Sequence, residues 1–233
     1  MLPLRRTFTR IAASFHASIG DVTFGMEDGA VSVAGLVFGV SASTDDARIV
    51  LLAGATGAVA GAVSMMAGRY LDVESVEHRR DSLIESTRQQ IADDPAPYLV
   101  RANERMIAAG YDEQESDAVV AVLRRSPKAL LDHVTAYELG LAVREETSPS
   151  THAVWMFFAD LLAASVPVIP IALFDIQTAR IVSLVVTGIL MALLGIARGR
   201  IGGVNIWKTA LQTMAIAGAA AVAGVIIGRL VTS

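Results

Sequence analysis

Two stretches of this sequence, Ile49–Gly68 and Thr209–Gly228, each run for 20 residues without a charged side chain. Basic residues bound both: Arg48 and Arg69 for the first, Lys208 and Arg229 for the second. A hydrocarbon core about 30 Å thick is crossed by roughly 20 apolar residues in a helix. The backbone inside that core must satisfy its own polar groups, which selects the helix. A slightly shorter run, Ile181–Ala197, lies between Arg180 and Arg198, and Thr147–Phe174 reads as interrupted only by Asp160. A further candidate, about Gly20–Ser43, is apolar after Asp28 and carries Asp21, Glu27 and Asp28 in its first turns. The expectation is an all-α polytopic membrane protein with five transmembrane helices and a helical insert between the second and third.

The charges reinforce this division. Charged residues make up 18% of the chain, against about 25% in an ordinary soluble domain. Arg69 to Glu146 holds 10 Lys/Arg and 16 Asp/Glu, a net of −6, while the remainder holds 9 and 7. One acidic middle block is thus set between two apolar arms, which excludes a disordered chain or a single water-soluble globule. The overall charge of −4, with no basic aromatic-studded stripe, disfavours nucleic acid as a partner. The absence of cysteine excludes thiolate metal sites and cysteine nucleophiles. The expected organisation is an N-terminal segment over 1–19, transmembrane helices 1 and 2 over 20–71, a helical domain over 72–147, and helices 3 to 5 over 148–233.

The N-terminal segment, with Arg5, Arg6 and Arg10 before the short IAASF stretch, does not read as a cleavable signal. Those arginines, the Arg198/Arg200/Lys208 loop and the basic residues of the insert share one side. The positive-inside rule places that side, with the N-terminus and the insert, in the cytosol. Within the insert, LDVESVEHRRDSLIESTRQQIADD reads as a continuation of the second helix, and Gly110 as a helix C-cap. An acidic first turn opens the DEQESDAVVAVLRR segment, and Ser126-Pro127 is an N-cap followed by a first helical position. The segment Glu145–Ser150 reads as the return into the membrane.

Few residues in the arms can carry ion chemistry. Asp21 and Asp28 are seven apart, so they share a helix face about 10 Å apart along the axis. Ionisable groups in a span are costly and have either a job or a partner; at the interface, Asp21 and Glu27 could simply cap the helix. On the second span Gly57, Gly61 and Met65 recur at intervals of four, a small-residue stripe that admits close backbone approach. A thioether together with carboxylates suits a borderline ion such as Fe²⁺ or Mn²⁺; Met65 and Met66 serve equally well as core filler. Asp160 stands ahead of Pro167 and Pro170, whose missing N–H groups free carbonyls. It could accept a proton, pair with a cation, or lie near the interface. In the insert, His78, His133, Glu85, Glu138, Glu145 and Glu146 form no HExxH or Glu-x-x-His ligand pattern, and a solvated acidic face is their default.

Several motifs occur in a fixed order: DGAVSVAGLVFGVSAS (Asp28–Ser43), LLAGATGAVAGAVSMMAGRYL (Leu51–Leu71), YELGL (Tyr137–Leu141), Ser148-Pro149, and the P-x-x-P of Pro167–Pro170. In that order the chain resembles the vacuolar iron transporter family, with its yeast and plant nodulin-like relatives, from about Gly20 onward. The resemblance implies a homodimer of five-helix subunits that exports cytosolic Fe²⁺ or a similar divalent ion in exchange for protons. It assigns the transport site near the dimer axis to Asp28 and Met65, matches Asp21 to a further acidic position, and leaves Glu138 as a metal ligand of the insert. Asp28 and Asp160 are the candidates for proton coupling. The pattern is also broken in places. Gly57 stands where a glutamate is expected, and Thr87, Gln90, Tyr98 and Arg101 where the insert should carry carboxylates. Val134 and Thr135 replace a methionine pair.

The expected function is therefore proton-coupled export of Fe²⁺ or Mn²⁺, with no cofactor; the partners are divalent metal ions, protons, the lipid bilayer and a second copy of the chain. The competing reading is a non-transporting dimeric scaffold or sensor whose insert binds a partner. An enzyme is not expected, since no catalytic dyad is assembled in the spans. Arg outnumbers Lys 17 to 2, which points to a GC-rich bacterial gene and a bacterial cytoplasmic (inner) membrane, the alternative being a vacuolar membrane.

Overall fold

A computed structural model of the chain describes residues 11–141 and 148–232. Every regular element among the described residues is a helix. They are α1 (Ile19–Ser43), α2 (Ala47–Asp93), α3 (Ala96–Ala108), α4 (Glu113–Arg125), α5 (Pro127–Tyr137), α6 (Pro149–Leu173), α7 (Ile176–Ile201) and α8 (Ile206–Thr232). A helical stretch over 11–17 precedes α1. Five helices, α1, α2, α6, α7 and α8, are long and apolar enough to span a bilayer, as expected. The chain is a polytopic membrane protein. Its residues fall into two compact units, 1–71 with 147–233, and 72–146. The arginines at 5, 6 and 10 and the Glu145–Thr147 part of the expected return lie outside the described residues.

In the apolar unit, small residues set how closely the helices approach. A Cβ on Gly29 of α1 would overlap the carbonyl oxygen of Asp160 on α6, and one on Gly25 would come to 3.0 Å of Met156 O. The two backbones therefore meet directly, as small-xxx-small faces permit. Between these contacts lies a core of Val33, Val37, Val50, Ala58, Ala164, Val168 and Ile171. A second cluster joins Ala30 to Ala163, Met191 and Leu194. The large exposed side chains, Leu52, Leu162, Ile181 and Leu211 among them, point away from the bundle, where lipid tails solvate them.

Helix ends in this unit are closed by named groups. Arg180 donates to the carbonyls of Ser41 and Thr44 and pairs with Asp45 at 2.8 Å, so a cation sits on the C-terminal carbonyls of α1. Asp175 caps α7 by accepting from Thr178 N at 3.0 Å. That backbone hydrogen bond holds the exposed Asp175 carboxyl below its ordinary range. Pro167 and Pro170 lie inside α6, and Ser183 Oγ of α7 donates to Pro167 O at 2.8 Å.

The polar unit has a core of its own: Ile91, Leu99, Ala102, Val120, Leu123, Leu130, Leu131 and Val134. Asp112 and Glu115 form a reciprocal capping box on α4. Ser126 caps α5 by accepting from Ala129 N, with Pro127 at the first position. Helix α3 ends one residue earlier than the sequence suggests: Ala109 is the cap, and Gly110 follows at φ +97°. A residue with a Cβ is strained there.

Candidate functional site

Three acids enter the apolar unit on α1, and the structure gives each a different environment. Asp21 is tied down twice: its Oδ1 lies 2.8 Å from Arg69 Nε of α2 and its Oδ2 2.6 Å from His152 Nδ1 of α6. Ser18 Oγ lies 3.2 Å from the same ring nitrogen. His152 is 1% exposed, so α1, α2 and α6 are fastened at one end by buried charge and hydrogen bonding. Next to this clasp, the ring of Trp155 meets Phe15 edge-on, and its Nε1 donates to Ser14 Oγ at 3.2 Å.

Glu27 faces the other way. Arg198 of α7 lies 3.0 Å from its Oε2, and Thr213 of α8 donates to its Oε1 at 3.3 Å. Its partners thus come from helices other than those that hold Asp21.

Asp28 has neither kind of partner. No side-chain hydrogen bond or ion pair to it occurs among the described residues; only its main-chain oxygen is engaged, accepting from Ser32. The half-buried carboxylate lines a groove of about 640 Å³ with Thr23, Phe24, Glu27, Arg198 and Ile216. The same charge acts on Asp160 across the α1–α6 contact.

Asp160 is 1% exposed, and both carboxylate oxygens are buried without a hydrogen-bond partner. The surrounding helices, rather than solvent, enclose its side chain. It is also not the only polar break in its span, because His152 stands eight residues earlier. The signal that could have revealed His152 is a lone imidazole in an apolar run, matched to an acid on another span.

Met65 is half-buried on α2, one turn beyond Gly61 on the same face. Gly57, in turn, leaves space that Leu36 of α1 fills, since a Cβ there would overlap Leu36 Cδ2. Among the described residues no three of His, Cys, Asp and Glu converge as a metal cluster. One chain therefore does not by itself assemble Asp28, Met65 and Asp21 into a closed ligand set, and Asp21 is already engaged.

In the polar unit four of the positions where the resemblance implies metal ligands, Gln90, Tyr98, Arg101 and Glu138, are linked to one another. Glu138, at the end of α5, pairs with Arg101 at 3.1 Å. The Arg101 guanidinium lies 4.4 Å over the ring of Tyr98, whose hydroxyl donates to Gln90 Oε1 at 2.5 Å. Thr87 is buried and donates to Leu83 O at 2.7 Å. His133 and Glu138, five apart, interact after all because α5 ends between them at Tyr137. Burial lowers the His133 pKa from its ordinary 6.5, with Glu138 opposing and Arg105 assisting.

The comparisons with known proteins agree with this architecture. The model of the VIT family matches residues 19–229. The chain is 28% identical over 214 residues to vacuolar iron transporter 1 of Arabidopsis thaliana, covering 91% of this chain and 86% of that protein. It is 30% identical over 204 residues to vacuolar iron transporter 1 of Oryza sativa subsp. japonica, covering 87% and 81%. A fungal vacuolar iron transporter of Arthroderma benhamiae is 24% identical over 229 residues, with 91% and 79% covered. With the match running from the start of α1 almost to the end of α8, the chain belongs to the VIT family.

Proposed function

We propose that the protein exports a divalent metal cation, Fe²⁺ or Mn²⁺, from the cytosol in exchange for protons, with Asp28 as the carboxylate on which the exchange turns. The observation that carries this reading is the difference among the three acids of α1. Asp21 and Glu27 pair with basic side chains, while Asp28 has no side-chain ion pair among the described residues, the arginine of its groove, Arg198, being paired with Glu27. A carboxylate in a span requires a partner, and a transported cation supplies one. The relatives named vacuolar iron transporter support a metal as that cation.

In this mechanism ionised Asp28 holds the metal, and protonation from the acidic side removes the negative charge and releases it. Met65 contributes a thioether, which favours Fe²⁺ and Mn²⁺ over harder ions. Asp160, buried without a partner, is the second group able to take a proton. The working unit is a homodimer with the site near its axis, in a bacterial inner membrane, with the N-terminus and the polar unit in the cytosol. In proteoliposomes with an acidic interior, Asp28→Ala and Met65→Ala should each abolish Mn²⁺ and Fe²⁺ uptake. Full uptake by Asp28→Ala would overturn the mechanism.

A second reading has one observation in its favour. The polar unit closes Gln90, Tyr98, Arg101 and Glu138 on one another, as suits a scaffold whose helices bind a partner rather than metal. A wild-type protein that moves no Fe²⁺, Mn²⁺ or Zn²⁺ under any pH gradient would favour it.

A further inference from the structure

Asp160 is the one described acid of the apolar unit that is sealed from solvent with both oxygens lacking a partner. Its place is fixed by main chain. Gly29 and Gly25 bring the α1 backbone against Asp160 and Met156, so α6 cannot slide without separating the helices. The carboxylate itself is turned toward α2, where a Cβ at Gly61 would lie 3.9 Å from Asp160 Oδ1. No α2 side chain occupies that position, and Met65 follows one turn further along the same face. On the α1 side, Asp28 is close enough for its charge to act on Asp160.

The basic side chains of these helices are engaged elsewhere. Arg69 and His152 are on Asp21, and Arg198 is on Glu27. Asp160 thus has no cation against it, and the one basic residue of the Asp28 groove, Arg198, is paired with Glu27. Burying a carboxylate unpaired costs several kcal/mol, and two like charges repel each other as well. The arrangement is stable only when something positive enters it.

We propose that Asp160 is a second ligand for the cation at Asp28, so that each protomer carries a two-carboxylate site for a divalent ion between α1, α6 and the Gly61–Met65 face of α2. This rests on the transport reading and deepens it. The site has an acid from α6 as well as one from α1, and at Gly61 no side chain stands between the Asp160 carboxylate and the α2 backbone. Two hard oxygens with a thioether nearby favour Mn²⁺ and Fe²⁺ over Ca²⁺, which takes six to eight oxygens.

The test is Mn²⁺ affinity of the full-length protein in detergent, read by electron paramagnetic resonance, alongside flux in proteoliposomes. Asp160→Asn and Asp28→Asn should each weaken Mn²⁺ binding by about tenfold or more, and the double variant by far less than the product of the two, as ligands of one ion require. Asp160→Glu, which keeps the carboxylate facing the Gly61 gap, should restore part of the binding. Without metal, Asp160→Asn should melt higher than the wild type, and Mn²⁺ should raise its melting temperature less. Wild-type Mn²⁺ affinity and flux in Asp160→Asn, with Asp28→Asn inactive, would overturn this site and leave the transport reading standing. Wild-type flux in Asp28→Asn would overturn the transport reading itself. Should Asp160→Asn fail to fold, Asp160→Ser, also neutral, is read by the same criteria.

Discussion

The two units treat charge in opposite ways. The polar unit is dense with acids and bases, most of them exposed, and its Glu138–Arg101 pair sits beside a chain of ordinary polar contacts. The apolar unit has few charges, and three acids are answered individually, Asp21 by two helices, Glu27 by two others and Asp45 by the arginine that caps α1, while Asp28 and Asp160 are not. Where water is near, an ion pair gains little, with a median of about 0–1 kcal/mol. Where water is excluded, an unanswered charge is expensive enough to be eliminated or used. Asp28 and Asp160 therefore say more about function than the 16 acids of the middle block.

The sharpest break of that contrast concerns transport. Asp28→Asn should reduce Mn²⁺ flux to that of empty liposomes, whereas Glu138→Gln should keep most of it. Abolished flux in Glu138→Gln would return the decisive role to the polar unit. The next effect is on stability. Asp21→Ala removes the acid that binds both Arg69 and His152, and should cost about 3 kcal/mol in thermal unfolding. Arg101→Ala removes the partner of Glu138 at an exposed position, 44% accessible, and should cost about 0.5–1 kcal/mol. Equal losses would mean that burial does not separate the two units.

A steric change sharpens the comparison further. Gly29→Val places a side chain against the Asp160 carbonyl and should lower stability by about 2 kcal/mol, seen as a lower melting temperature in detergent. The smallest effect is a pH dependence. Because burial lowers the His133 pKa below its unfolded value of 6.5, the unfolded chain takes up that proton first, and stability should decline as pH falls from about 7.5 toward 5.5. His133→Gln should flatten the melting-temperature profile across that window; an unchanged slope would assign the dependence to other groups.

Much of this fold was legible because its strongest signals are local. Uncharged runs between basic residues mark three of the spans, and the acidic first turn at Asp112–Glu115 and Ser126-Pro127 mark helix starts that the structure confirms by their hydrogen bonds. Asp28 was singled out by its depth in the span and by the family resemblance of the motif it opens. Pairings between distant residues were not legible. Nothing near Asp21 in sequence announces His152, 131 residues away, and nothing near Glu27 announces Arg198, 171 residues away. The first depends on helix packing set by Gly25 and Gly29, which a sequence shows only as small residues, and the second on the contact of α1 with α7 through Ala30, Met191 and Leu194. The same blindness made Asp160 ambiguous, since its burial comes from α1 and α2 rather than from its own span.

The partners of α1 also impose an order on biogenesis. Synthesised from the N-terminus, α1 leaves the ribosome with three acids before any partner exists. Arg69 arrives with α2, His152 only with α6, and Arg198 only at the end of α7. Until then the first helix carries uncompensated charge at the membrane, and water must solvate it. The last-made helices therefore complete the pairing of the first, and a nascent chain halted before α7 lacks the arginine that Glu27 meets in the finished fold.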